Sequence, residues 1–100
     1  MPKITGLAAI ALADDNAAAF TSVPLTTTQA ILKCETNNVR LGDVDFPPTA
    51  STGYLWNVGE TLLYVGNDYE QFLKNLRIIN AVAGSNGTIR GFFMTGFDKA

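Results

Sequence analysis

The chain has 100 residues, 47% of them hydrophobic and 16% charged, which is enough apolar material for one core and one domain. A net charge of −2, with seven basic residues scattered along the chain, argues against a phosphate-binding surface and so against nucleic acid as a partner. Histidine is absent and Cys34 is the lone cysteine, which excludes the commonest general base, the commonest transition-metal ligand and an internal disulfide.

No stretch reaches the roughly 18 apolar residues that span a bilayer, so no membrane partner is expected. The apolar run 7–13 follows few basic residues and ends at Asp14-Asp15, unlike a secretory leader. Synthesis and folding in a cytoplasm are therefore expected.

Residues 1–19 carry two patterns. Ile4, Gly6, Ala8, Ile10 and Leu12 alternate as in a strand, whereas the alanines of 7–19 favour a helix. Asp14 and Asp15 would oppose the dipole of such a helix near its end, which weakens that reading. Alanines offer little volume for a core. Residues 1–19 are accordingly expected to form an amino-terminal arm outside the main domain, contacting a neighbour, with Ile4, Leu7 and Ile10 as its interface candidates. Residues 20–100 form the domain itself.

Thr26-Thr27-Thr28 suits an edge strand. Residues 30–36 predict a strand with Ile31 and Lys33 on one face and Leu32 and Cys34 on the other. Asn37-Asn38 tolerates the positive φ of a two-residue hairpin, which makes 39–44 the return strand. Pro47-Pro48 cannot donate to a ladder and ends it. Residues 53–58 and 61–65 are short apolar stretches around Gly59-Glu60, and Gly66-Asn67-Asp68 is a further turn.

Helical spacing occurs over 69–76, where Tyr69, Phe72, Leu73 and Leu76 share a face, for one or two turns of helix or a loop. Residues 77–83 and 88–97 predict a closing hairpin over Gly84-Ser85-Asn86-Gly87, with Asn86-Gly87 the strongest turn signal of the chain. Short strands with turns about every 8–12 residues predict a mostly β fold. The expected architecture is a small antiparallel β-sandwich or barrel, jelly-roll-like, with the arm and at most one short helical turn.

The chemistry-bearing residues offer little for catalysis. Cys34 has no histidine to activate it and reads as a small buried strand residue. Asp43 and Asp45 share a side of a strand and are candidates for half a calcium site or an acid pair, although a solvated strand end suits them better. Gly84 and Gly87 lie between strands, not before a helix, so they make no phosphate loop. We expect no catalytic, cofactor-binding or metal-binding residues. Tyr54 and Trp56 alternate about Leu55 and would present two rings on one face. They are candidates for a sugar-stacking platform but better suited to a core or subunit-interface anchor.

Several segments of residues 21–97, about three quarters of the chain, fall in an order that resembles a family of short phage virion proteins. They are Thr21-Ser22-Val23-Pro24-Leu25-Thr26-Thr27, Asn38-Val39-Arg40-Leu41-Gly42 and Pro48-Thr49-Ala50-Ser51-Thr52-Gly53-Tyr54-Leu55. Val58-Gly59-Glu60-Thr61-Leu62, Asn75-Leu76-Arg77-Ile78-Ile79 and the closing Gly-Thr strand from Gly87 complete the set. Phe92-Phe93-Met94-Thr95-Gly96 departs from the plainer, alternating final strand of that family.

The resemblance implies a small β-sandwich, commonly trimeric, attached to a phage head or tail. The function it implies is capsid decoration, or cement: a homotrimer that bridges major capsid subunits and stabilises the head. The localisation it implies is the virion, after synthesis in the host cytoplasm. A tail, neck or fibre component is the alternative within the particle, and a carbohydrate-binding module using Tyr54 and Trp56 is the alternative outside it. An enzyme is not expected.

Overall fold

A computed structural model describes residues 3–65 and 69–95. The expected turn at Gly66-Asn67-Asp68 and the end of the last expected strand, Gly96 and Phe97, lie outside the described residues. The fold is a small, mostly β sandwich of two antiparallel sheets with one short helix.

In chain order the elements are β1 (Lys3–Ala11), β2 (Gln29–Glu35), β3 (Val39–Asp43), β4 (Tyr54–Trp56), β5 (Thr61–Val65), α1 (Tyr69–Asn75), β6 (Leu76–Asn80) and β7 (Thr88–Thr95). One sheet has the order β1-β7-β2-β5, and the other β4-β3-β6. We call these the four-stranded and the three-stranded sheet. Alternation sets what faces inward. Ala30, Leu32 and Cys34 of β2 are buried, and so are Leu76, Ile78 and Asn80 of β6. The two inner faces meet in one core that includes Trp56, Phe93, Leu32, Ile89 and Val39. Phe20 meets Phe93 edge-to-face, with ring centroids 5.1 Å apart. The helix caps one end of this core with the buried Leu73.

The described part of residues 1–19 does not form a separate arm. Lys3–Ala11 is β1, paired antiparallel along β7 at the edge of the four-stranded sheet. Ala8, Ile10 and Leu12 enter the core, so the strand alternation prevails over the alanine helix propensity. Further along, Ala18 and Ile78 exchange backbone hydrogen bonds of 2.8 and 2.9 Å, so this connection lies along β6.

Two expected hairpins are also absent. β2 and β3 flank Asn37-Asn38 but belong to different sheets, and so do β6 and β7 around Gly84-Ser85-Asn86-Gly87. The Gly59-Glu60 turn likewise joins β4 in one sheet to β5 in the other. Each turn reverses the chain while carrying it across the core. Gly87 serves this crossing through its small size: a Cβ there would lie 2.3 Å from Val39 Cγ1 and 2.8 Å from Asn37 O.

Candidate interaction surface

The groups considered for chemistry are occupied by structure. Cys34 is fully buried, its Sγ lies 3.2 Å from Asn37 O, and burial pushes the thiol above its ordinary range. Asp43 Oδ1 accepts the N–H groups of Asp45 and Phe46 at 2.9 and 2.8 Å, so its carboxylate shapes a turn. No group of three or more histidine, cysteine or acidic side chains able to hold a metal occurs among the described residues.

Asp14 and Asp15 have separate tasks. Asp14 Oδ1 accepts Asn16 N–H at 3.0 Å. Asp15 Oδ1 accepts Asn80 Nδ2 and Gly84 N–H at 3.0 and 2.9 Å, and these bonds, the Asn80 amide first, hold its carboxyl below the ordinary aspartate range.

Tyr54 and Trp56 do not make one platform. Trp56 is fully buried and donates Nε1–H to Glu60 O at 2.9 Å, whereas Tyr54 is 54% exposed. Trp56 is thus a core anchor, the better of the two readings its spacing allowed, and not an interface residue. Ile10 is likewise a core residue at 4% exposure. Ile4 and Leu7 are exposed, at 53% and 79%, on the outward side of β1.

Strand register gives those two residues company. Leu7 of β1 stands opposite Phe92 of β7, Phe92 opposite Ile31 of β2, and Ile31 opposite Leu63 of β5. Four large apolar side chains therefore cross the whole outer face of the four-stranded sheet in one row. Leu63 is 58% exposed and Phe92 40% exposed, so the described residues leave this row uncovered.

The rows on either side differ in character. Ile4, Met94 and Gln29 stand in register on one side. Ala9, Arg90, Lys33 and Thr61 stand in register on the other. Arg90 lies 3.6 Å from Glu35 in a solvent-facing ion pair. Because Ala9 is small, the sheet dips beside the basic row. The result is an open depression of about 470 Å³ lined by Leu7, Ile31 and Phe92 together with Lys33, Glu35 and Arg90.

Sequence reasoning found Ile4 and Leu7 and placed Ile31 and Lys33 on a common face. It missed Leu63, Phe92 and Arg90 as their partners, because the row exists only through pairings between strands distant in the chain. A monomeric surface seldom leaves a large contiguous apolar patch unused, and such patches mark contact sites.

No family model, curated protein or solved structure matches the chain. Among the described residues, no helix is long and apolar enough to cross a membrane.

Proposed function

We propose that this protein is a structural part that works by burying surface, and that it decorates a phage head by bridging major capsid subunits. The observation that carries the contact reading is the uncovered row Leu7–Phe92–Ile31–Leu63. An apolar row with a basic flank suits a protein surface that supplies apolar side chains within an acidic rim. The virion setting and the homotrimer come from the resemblance of the sequence segments. Low charge, 16% of residues, fits a chain that leaves part of its surface to neighbours.

Stabilisation of a shell in this way requires no catalytic group. Each subunit adds interface area across a seam, and many weak seams resist internal pressure together. The direct test mixes the purified chain with expanded, DNA-free heads of its own phage and measures bound protein after sedimentation. Saturable binding at a fixed ratio to the capsid lattice is expected, together with heads that break at a higher temperature. Heads that neither bind the chain nor gain stability overturn the decoration reading, and binding to purified tails instead would move the protein to the tail.

A further inference from the structure

A second exposed apolar feature lies on the turn that follows β3 of the three-stranded sheet. After β3 the chain turns through Asp43, Val44, Asp45 and Phe46, then enters Pro47-Pro48. Phe46 is 80% exposed, and Val44 beside it is 45% exposed.

The turn is held firmly. Asp43 N–H donates to Phe46 O at 3.1 Å, while Asp43 Oδ1 accepts the Asp45 and Phe46 N–H groups. Val44 N–H donates to Asn75 O at 3.1 Å at the end of α1. Pro48 is buried, and Gly42 leaves room for the turn, since a Cβ on Gly42 would lie 2.4 Å from Phe46 O and 2.9 Å from Pro48 Cδ. A phenyl ring is therefore displayed on a rigid turn, where burying it in a partner costs little ordering of the backbone. Beside it, the Asp45 carboxylate makes no hydrogen bond within the described residues.

This tip and the depression on the four-stranded sheet are complementary. The depression is apolar along Leu7, Ile31 and Phe92, and its polar side carries Lys33 together with the Arg90–Glu35 ion pair. The tip is apolar at Phe46 and Val44 and acidic at Asp45. A volume of about 470 Å³ admits an aromatic side chain with its neighbours. Lys33 forms no ion pair among the described residues, so it is free to meet a carboxylate.

The tip leaves the three-stranded sheet, and the depression opens on the side of the four-stranded sheet that faces away from it. One chain cannot close this contact on itself. We propose that copies of this chain join head to tail, the Phe46 tip of one copy seating in the Leu7–Phe92 depression of the next with Asp45 toward Lys33. Two different surfaces meet in such a contact, and a rotation that closes gives a ring. This deepens the homotrimer part of the proposed function by naming the surfaces, and it does not depend on a capsid lattice.

The test is mass in solution. Native mass spectrometry of the unaltered chain at micromolar concentration is expected to show a closed ring. Phe46→Ser and, separately, Leu7→Ser alter exposed side chains, so both should remain folded by circular dichroism. Each is expected to weaken association about thirty-fold or more, the loss typical of a central anchor, and to run as a monomer. Mixed together they retain one intact contact, tip from the Leu7→Ser chain and depression from the Phe46→Ser chain, and should form a one-to-one dimer and nothing larger. Lys33→Glu should weaken the ring, and adding Asp45→Lys in the same chain should recover it. A monomeric unaltered chain overturns the proposal, as does a mixture that fails to pair. An assembly indifferent to Phe46→Ser also overturns it and points to edge pairing through β1. Binding to phage heads is scored separately: rings that ignore heads sink the decoration reading alone, and monomers that coat heads sink this one alone.

Discussion

The two ends of the three-stranded sheet depart from the usual arrangement of polar and apolar residues in opposite ways. At the end where β3 begins and β6 finishes, a polar side chain is buried. Asn80 is 1% exposed, and its Nδ2 reaches Asp14 O, Asp15 Oδ1 and Asn86 Oδ1 at 2.8–3.0 Å, while its Oδ1 accepts Gly87 N–H at 3.0 Å. At the other end, where β3 finishes, an apolar ring is displayed: Phe46 on its proline-backed turn.

The first end is stitched. Asn37 Nδ2 donates to Asn86 O, Val58 N–H donates to Asn38 Oδ1, and Ala81 N–H donates to Asn38 O. Three sheet-crossing turns and the residues after β1 thus share one network of amides. The difference teaches where each end directs its free energy. A buried Asn80 amide with its partners in place, joined to half-buried and exposed amides around it, fixes a single arrangement of turns. An exposed ring on a rigid turn adds nothing to folding and remains available for association.

The largest break in this contrast comes at the stitched end. Trp56 pairs with Val39 and is fully buried, so Trp56→Ala is expected to remove about 3–5 kcal/mol, measured by chemical denaturation. A change below about 1 kcal/mol would show that the ring packs more loosely than its burial implies.

Asn80→Ala is expected to cost less, about 1–2 kcal/mol, because the buried Gly87 N–H loses its acceptor while the exposed Asp14 and Asp15 can turn to water. The same substitution sharpens the electrostatic side. Asp15 has a lowered folded pKa, so its contribution is present above roughly pH 4 and is lost as pH falls through the folded value. Removing the Asn80 amide removes the largest cause of that lowering. The gap between Asn80→Ala and the unaltered chain should therefore narrow as the pH drops below about 4, leaving the part that comes from Gly87 N–H. Parallel curves across that range would mean that Asp15 gains nothing from Asn80.

The smallest effect on folding belongs to the other end. Phe46→Ser should leave the unfolding free energy of the separated chain within about 0.5 kcal/mol of its original value. A larger loss would show that the ring packs on its own chain, and the contrast between the two ends would disappear.

Much of the local structure was legible. The alternation of Ile31, Leu32, Lys33 and Cys34 gave β2 its correct faces, and the spacing of Tyr69, Phe72, Leu73 and Leu76, open to a short helix or a loop, corresponds to α1 except at Leu76, which begins β6. A buried Cys34 and a Trp56 anchor followed from residue type and pattern. The arm was misjudged because alanine is helix-favouring and small, whereas β7 offered Lys3–Ala11 a ladder that no local signal announces. Asn80 carried no sequence mark at all. Its role depends on Asp15, Asn86 and Gly87 arriving at the same corner.

The sequence by itself determined that this is one small β domain without histidine, with one cysteine, and with alternation that divides each strand into an inner and an outer face. It also indicated the regions where the chain reverses, around Asn37-Asn38, Gly59-Glu60 and Gly84-Ser85-Asn86-Gly87, although the positive φ falls on Thr36, Gly59 and Gly84. Only the tertiary structure decided whether the strands on either side of a reversal pair with each other or cross the core. A turn fixes a change of direction, whereas pairing depends on which strand edges are already taken. β7 occupies one side of β2 and β5 the other, so β3 has no edge of β2 to join and crosses to build the opposite sheet. The same long-range register set Leu7, Phe92, Ile31 and Leu63 side by side, although residues 7 and 92 lie almost the whole chain apart.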